Sequence, residues 1–447
     1  MPELIRKKKK MSSFEMIAFG FAGVILLGAI ILMLPISSSA GVVTPFDKTL
    51  FTATSAVCVT GLVVVDTGSY WSAFGQAVIL LLIQTGGLGV ITVVASFSMV
   101  SGRKISLMQR STMQDAISAP KVGGIVRLTK FILQGTFLIE LVGAILMLPV
   151  FCRDYGWKGI WMSVFHSVSA FCNAGFDILG TVDQTFPSLT GYIANPLINL
   201  VIMLLIVIGG IGFLTWDDFC TNKWNLKRYR LQSKIILVTT AVLILLPAIF
   251  FFLSDFAGFS MGKRILASFF QSVTLRTAGF NTADLGAMND SSKAIMTLMM
   301  LIGGSPGSTA GGMKTTTIAV LILNAFATFG REPETEVFGR RFDNTVVKNA
   351  ATIAILYFFL FFAGGIAISQ IEHIALSDCL FETASAVGTA GLTLGITTEL
   401  GLVSHLILVV LMYLGRVGGL TLIYAAISVK IQSGAKSCLL YTSDAAD

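Results

Sequence analysis

The sequence predicts an all-α polytopic membrane protein built from four copies of one helix–re-entrant loop–helix unit, eight transmembrane helices around a pseudo-fourfold axis. Three observations predict it. Charged residues make up 12% of the 447-residue chain and apolar residues 54%, with mean hydropathy +0.82. A soluble domain carries about 25% charged residues, so this chain has too few to cover a water-facing surface of its size. One motif recurs four times, ending at Gly61, Gly175, Gly279 and Gly391, at spacings of 114, 104 and 112 residues. A regular long period marks repeated structural units. The basic residues, finally, fall mostly on one side of the predicted spans.

The copies read FTATSAVCVTG from Phe51, FHSVSAFCNAG from Phe165, FFQSVTLRTAG from Phe269 and FETASAVGTAG from Phe381. Aligned on the last glycine, each places a Phe ten residues upstream, with small or hydroxyl residues between. Around them the chain alternates long apolar runs with short mixed ones. A basic N-terminus, 1–13, holds Arg6 and Lys7 to Lys10. Unit one, 14–102, has long runs at 14–35 and 73–100 around a short segment, 46–57. Unit two, 103–222 with its preceding loop, has runs at 126–151 and 195–216 around 158–171. Unit three, 223–331, has 233–254 and 292–329 around 262–274. Unit four, 332–436, has 346–370 and 402–430 around 377–387. The long runs can cross about 30 Å of hydrocarbon at 1.5 Å per residue; the short ones cannot, and their Ser and Thr do not suit lipid.

With the N-terminus inside, 22 of the 31 Lys and Arg fall on the inner side, 6 on the outer side, and Arg276, Lys314 and Arg416 at membrane depth. That bias sets both termini in the cytoplasm, and all four re-entrant stretches then enter from outside. No signal peptide is expected, because the apolar run after Lys10 is long enough to span and lacks a small-residue cleavage site. The net charge of +7 belongs to this asymmetry and is not a nucleic-acid signal. The six cysteines show no metal-ligand or disulfide spacing. Cys58 and Cys172, in equivalent places, read as packing residues. His166, His373 and His405 are dispersed.

Non-helical backbone at membrane depth must be buried in protein or line a wet cavity. Four such stretches satisfy this together by facing one axis. There the backbone carbonyls can replace the hydration shell of a monovalent cation, and the C-terminal end of each short helix adds a favourable dipole. The expected ion-binding filter comprises Val57, Cys58, Val59, Thr60 and Gly61; Phe171, Cys172, Asn173, Ala174 and Gly175; Leu275, Arg276, Thr277, Ala278 and Gly279; and Val387, Gly388, Thr389, Ala390 and Gly391. Arg276 is expected to point away from the axis and brace against a carboxylate. The blander reading makes the four stretches glycine-packed helix joints.

Unit three carries Gly303, Gly304, Ser305, Pro306, Gly307, Ser308, Thr309, Ala310, Gly311 and Gly312 inside its second long run. Pro and Gly cost about 3 and 1 kcal/mol each in a helix interior, so a break at mid-membrane is expected there, placed to act as a gate. Arg416 lies at the same level, because Gly303 and Gly415 each fall 24 residues beyond their filter glycine. It reads as an electrostatic barrier to a cation, or as a partner for loop carbonyls or Glu382. Lys314 is expected at the inner mouth, and Asp217 and Asp218 at the interface.

On these residues the chain resembles the superfamily of Trk, Ktr and HKT potassium transporters. The stretches Ser-Ala-Val-Cys-Val-Thr-Gly-Leu, Leu-Arg-Thr-Ala-Gly-Phe-Asn and Gly-Ser-Thr-Ala-Gly-Gly-Met-Lys-Thr look most like the pore-forming subunit of bacterial Ktr systems. The resemblance covers about 15–430. It implies K+ uptake across a bacterial plasma membrane, with Na+ as a modulator, a homodimer embedded in lipid, and a cytosolic ring of RCK-type regulatory subunits. ATP/ADP or NAD(H) would bind that partner; no cofactor is expected in this chain. A Na+-permeable cation pathway of the same fold is the alternative. A two-repeat secondary transporter and an enzyme fit less well, since the repeat is fourfold and no nucleophile–base pair stands out. Residues 437–447 look unrelated to what precedes them and read as a scar of sequence assembly or expression.

Overall fold

The structure, a computed structural model, describes residues 13–100, 106–117, 123–332 and 335–418. The basic N-terminus, the end of the last predicted span and the unusual 437–447 tail lie outside the described residues.

Each unit has a long helix, a shorter one, an irregular stretch and a further helix that breaks. Unit one has α1 (Ser13–Met33), α2 (Phe46–Val57), the turn-like α3 (Thr67–Tyr70), α4 (Ala73–Leu88) and α5 (Val90–Val100). A helix not expected from the sequence, α6 (Leu107–Ile117), lies in the connection to unit two. Unit two has α7 (Ile125–Tyr155), α8 (Lys158–Phe171), α9 (Pro196–Gly210) and α10 (Phe213–Asn222). Unit three has α11 (Leu231–Leu253), α12 (Met261–Thr274), α13 (Asp290–Leu301) and α14 (Thr315–Phe329). A two-stranded hairpin, β1 (Glu336–Val337) and β2 (Arg340–Arg341), precedes unit four: α15 (Asn344–Glu372), α16 (Leu376–Gly388) and α17 (Leu402–Val417).

Local chemistry sets several of these boundaries. Ser72, Asn195, Asn289 and Asp343 cap α4, α9, α13 and α15 by accepting a backbone N–H from inside the first turn, the usual answer to unpaired amides at a helix start. Pro196 opens α9 where its missing N–H costs nothing.

The core is inverted relative to a soluble protein. Leu26, Leu27 and Ile30 of α1, Leu138 and Leu141 of α7, Leu245 and Leu246 of α11 and Phe359 of α15 are exposed. Thr52, Thr54, Ser55, Ser167, Ser169, Ser268, Thr274, Thr383 and Ser385 of the four short helices are buried. A soluble monomer rarely exposes so large an apolar surface; lipid explains it. Several of these hydroxyls are satisfied by local bonds, as where Thr54 Oγ1 donates to Leu50 O at 2.7 Å and Ser268 Oγ to Arg264 O at 2.7 Å, whereas Ser385 Oγ has no partner among the described residues. Among the described residues four helices, α1, α7, α11 and α15, are long and apolar enough to cross a membrane, and a fifth span results if α9 and α10, bent by 97°, count as one.

Two expectations change here. The runs 73–100 and 195–216 read as continuous, but both break: α4 ends before Gly89 and α9 before Gly212, and α17 likewise ends before Gly418, the last described residue, all three glycines with φ near +90°. Each break follows the same spelling: Gly86-Gly87-Leu88-Gly89, Gly209-Gly210-Ile211-Gly212, Gly415-Arg416-Val417-Gly418. The close approach demands it, since a Cβ on Gly86, Gly209 or Gly415 would collide with the carbonyl of Val57, Phe171 or Val387 at the end of its own short helix. The break expected in unit three alone is thus found in units one and two as well, and is longest in unit three.

Second, the alignment of unit three shifts by one. Phe51, Phe165 and Phe381 are buried, but Phe269 is 38% exposed, and Phe270, at 0%, takes the equivalent place. The backbone agrees: Ser55, Ser169 and Ser385 carbonyls accept from the amide five residues on, whereas Thr274 O accepts from Ala278, four on. Copy three is one residue shorter between its Phe and its glycine.

Candidate functional site: a ring of four glycines and the loop beside it

The four motif glycines meet in a closed ring. A Cβ on Gly61 would lie 2.6 Å from Ala174 O; on Gly175, 2.7 Å from Ala278 O; on Gly279, 3.0 Å from Ala390 O; and on Gly391 closer still to Thr60 O. Each unit therefore abuts the next in the order one, two, three, four and back to one. The short helices end at Val57, Phe171, Thr274 and Gly388, just before the ring, so four negative dipole ends converge on it.

The backbone of every copy is strained in the same way. Val59, Asn173, Thr277 and Thr389 have φ of +50°, +58°, +61° and +52°, and the glycine two residues on is also left-handed in each. A β-branched residue at positive φ is an outlier, tolerated where the surroundings impose it. Alternating the backbone hand turns successive carbonyls toward one side, which an ordinary strand does not do. Side-chain and backbone bonds hold the shape: Gly61 N donates to Ser55 Oγ at 3.0 Å, and Ser169 Oγ donates to Phe176 O at 2.7 Å. Glu382, fully buried, accepts from Thr393 Oγ1, from Leu394 N at 3.2 Å and from Thr397 Oγ1 at 2.7 Å, fixing the chain beyond the fourth glycine. Thr60 Oγ1 and Thr389 Oγ1 are buried with no hydrogen-bond partner among the described residues.

On one side of the ring a cavity of about 240 Å³ is lined by all four glycines together with Asp66, Asp177 and Asp284. The burial of Asp177 pushes its carboxyl up to about 7, against the pull of the Leu179 N–H and helped by Asp66. On the other side a cavity of about 280 Å³ is lined by Gly307, Ser308, Lys314, Arg416, Asp115 and Tyr357 among others.

The 303–312 loop contributes Gly307, Ser308, Ala310 and Gly312 to the second cavity. Ser305 N and Thr309 N donate to Gly210 O and Gly209 O of unit two, at 2.9 and 3.2 Å, and Gly312 N donates to Gly415 O of unit four at 3.2 Å. Arg416 Nη1 donates to Thr309 O, and Nη2 to Gly86 O and, at 3.1 Å, to Gly87 O. Units one and three stand diagonally across the ring, and this guanidinium bonds to both, so it bridges the axis. Lys314 Nζ donates to Ala310 O at 2.9 Å and lines the second cavity. Of the alternatives for Arg416, loop carbonyls are its partners, while Glu382 serves the fourth copy.

The expectation for Arg276 fails in its detail. The side chain is buried, but Nη2 reaches the Thr240 hydroxyl at 3.4 Å and not a carboxylate. Its own carbonyl accepts from Asn173 Nδ2 at 3.2 Å. Asp217 and Asp218 pair with Arg230, and Asp218 also accepts from Ser233. The sequence reading missed the supporting glycines of units one, two and four. Their repeated Gly-x-x-Gly spelling was a signal that could have found them.

Four similar helical units thus close on one ring of glycines. The chain belongs to the TrkH cation transport protein family, whose profile matches residues 23–436. It is 38% identical over 433 residues to the potassium/sodium uptake protein NtpJ of Enterococcus hirae, covering 94% of each chain. It is 37% identical over 418 residues to Ktr system potassium uptake protein B of Bacillus subtilis, covering 92% of each, and 34% identical to the protein of that name in Vibrio alginolyticus, covering 95% of this chain and 93% of that one. The crystal structure of the potassium transporter TrkH from Vibrio parahaemolyticus shares the fold, with a TM-score of 0.73 at 18% identity over 94% of this chain and 86% of that one.

Proposed function

We propose that this chain is the pore-forming subunit of a bacterial potassium-uptake system. K+ passes down its electrochemical gradient through a filter of backbone carbonyls at 57–61, 171–175, 275–279 and 387–391. The 303–312 loop and Arg416 form the gate beneath. In this reading the chain crosses the plasma membrane eight times with both termini inside, and the four short helices re-enter from outside. Two copies pair in the membrane and sit on a cytosolic ring of RCK-type subunits that binds ATP/ADP or NAD(H), with Na+ as a modulator. The observation that carries the reading is the closed ring of four left-handed glycines, each preceded by a second left-handed residue. Such a backbone offers carbonyls to a desolvated monovalent cation, and the neutral side chains around it suit a weakly hydrated one. The relatives named for potassium uptake support the choice of ion.

The potassium/sodium naming of the Enterococcus relative supports a second reading, a pathway that also admits Na+. Growth complementation separates these. A bacterium lacking K+ uptake, expressing this chain with and without a regulatory subunit, should grow at low external K+, and Gly61→Asp should abolish the rescue. Absence of rescue in all conditions, with the protein present in the membrane, would sink the K+ reading. Tracer flux in liposomes with Na+ as competitor decides between K+-selective and mixed transport.

A further inference from the structure

We infer that Thr309 and Asn173 form a latch that ties the gate loop to the second copy of the filter, so that moving the gate changes ion selectivity. The inference rests on the filter-and-gate reading above and adds to it a residue-level link.

Thr309 is fully buried, and so is Asn173 but for 1%. The Thr309 hydroxyl donates to Phe171 O at 3.0 Å and is 3.4 Å from Asn173 Oδ1. Its amide donates to Gly209 O at 3.2 Å, and its carbonyl accepts from Arg416. Every polar group of this one loop residue is therefore engaged, two of them by unit two. Asn173 spends its other end on copy three: Nδ2 donates to Arg276 O at 3.2 Å and is 3.4 Å from Thr277 Oγ1. A line of hydrogen bonds runs from the Arg416 guanidinium through Thr309 and Asn173 to the backbone of copies two and three.

The residue types fit the role. Copies one, three and four place Val59, Thr277 and Thr389 at the left-handed position, and copy two alone places Asn there. Asn tolerates that backbone far better than a β-branched residue. It is also the side chain that can accept from the loop while donating to the next copy. Gly209 leaves the space, since a Cβ there would lie 2.9 Å from Thr309 Oγ1 and 3.0 Å from Asn173 Oδ1. When the loop moves, Phe171 O loses the donor that orients it, and Asn173 loses the neighbour that fixes the amide bonded to Arg276 O. Thr309 and Asn173 act through those carbonyls, so both are positioning residues.

The test is K+ flux and the K+/Na+ flux ratio of the purified full-length protein in liposomes. Thr309→Val removes the hydroxyl at constant shape, and Thr309→Ala removes it with no added bulk, so one of the two keeps the fold. Both should raise flux and lower the ratio together, by about fivefold, the factor that a hydrogen bond worth about 1 kcal/mol commands. Thr309→Ser should restore both. Ser308→Ala removes a hydroxyl that donates within the loop, to Ser305 O at 2.7 Å, and leaves both Thr309 contacts in place, so it should leave the ratio unaltered; a ratio lowered as far as in Thr309→Ala would overturn the latch. Thr309→Val and Thr309→Ala with a wild-type ratio overturn the latch, whether or not flux rises. Failure of the underlying filter reading shows separately, as an unaltered ratio in Gly391→Ala.

Discussion

Adding one methyl group to each ring glycine gives four unequal perturbations whose order follows from geometry. All four glycines have φ between +68° and +94°, so alanine at any of them bears a left-handed penalty of about 1–2 kcal/mol, a factor of about 5–30 in the population of the native backbone. The steric part differs. Real Cβ atoms essentially never come within 3.0 Å of another heavy atom. At Gly279 the new Cβ meets Ala390 O and Gly175 Cα at 3.0 Å, at that limit. At Gly61 it meets Ala174 O at 2.6 Å, 0.4 Å inside it, and at Gly175 it meets Ala278 O and Gly279 Cα at 2.7 Å. At Gly391 it runs deepest into Thr60 O. Each obstacle is backbone of the neighbouring copy, with no flexible end to swing aside, so relief requires moving a filter carbonyl. Packed interiors resist such motion, and selectivity depends on the carbonyl cage. The expected order of damage to the K+/Na+ ratio is therefore Gly391→Ala greatest, Gly61→Ala and Gly175→Ala intermediate, Gly279→Ala least. The assay is rubidium tracer uptake into proteoliposomes against graded Na+, normalised to protein reconstituted. An intact ratio in Gly391→Ala, or Gly279→Ala as the most damaged of the four, refutes the reasoning.

Other outcomes follow from the same coordinates. Phe270→Ala should lower the melting temperature in detergent strongly, by the 3–5 kcal/mol typical of a buried Phe. Phe269→Ala should barely change it, and the reverse order would refute the shifted alignment of unit three. Arg416→Ala removes the bridge from Thr309 to Gly86 and the positive charge at the axis, so K+ flux should rise several-fold, while unaltered flux in Arg416→Ala and in a 304–311 deletion would remove the gate. With Asp177 titrating near 7, its negative charge is present above that pH and lost below it. Apparent K+ affinity in the cavity that Asp177 lines should accordingly weaken as the pH on that side falls through 7, and Asp177→Asn should flatten that dependence; an unchanged slope in that variant would refute the assignment.

Much of this arrangement was legible in the chain because the filter repeats in sequence as well as in space. Four glycines at nearly constant spacing, each after a short hydroxyl-rich run, predict converging loops, and the Gly-Pro-Gly run at 303–312 predicts a break wherever it is placed. What resisted reading was what depends on packing between units. Nothing local distinguishes Phe269 from Phe270; the choice is made by the one residue missing before Gly279. The Gly86-Gly87 and Gly209-Gly210 pairs are too short a helix-breaking signal alone, and their cause lies in the carbonyls of Val57 and Phe171, which press against them from another helix. Arg276 invited a carboxylate by charge counting, yet its buried neighbour is Thr240, and the carboxylate of Glu382 is spent within its own unit. The partners of Arg416 are three carbonyls from two diagonal units, a contact that spans more than 300 residues and leaves no mark in local sequence.

Departures from fourfold symmetry let one chain combine a uniform ring with four different surroundings beneath it. At the ring the four units are interchangeable in their essentials: a left-handed residue, a small or hydroxyl residue, a left-handed glycine. Beneath the ring they are not. Unit three contributes a ten-residue break where the others contribute a few residues, unit four contributes the cation, unit one contributes the carbonyls that hold it, and unit two contributes Asn173. A symmetric tetramer of identical short chains would have to repeat each feature four times, and four arginines converging on one axis would repel one another at short range. Fusing the four units into one chain lets each specialise. A single guanidinium then suffices to bridge two diagonal units, and moving the one loop it holds alters one defined set of hydrogen bonds. That economy predicts where control enters the molecule. Substitutions that change flux without abolishing selectivity should cluster in the second halves of units three and four, and substitutions that change selectivity should distribute over all four copies of the ring.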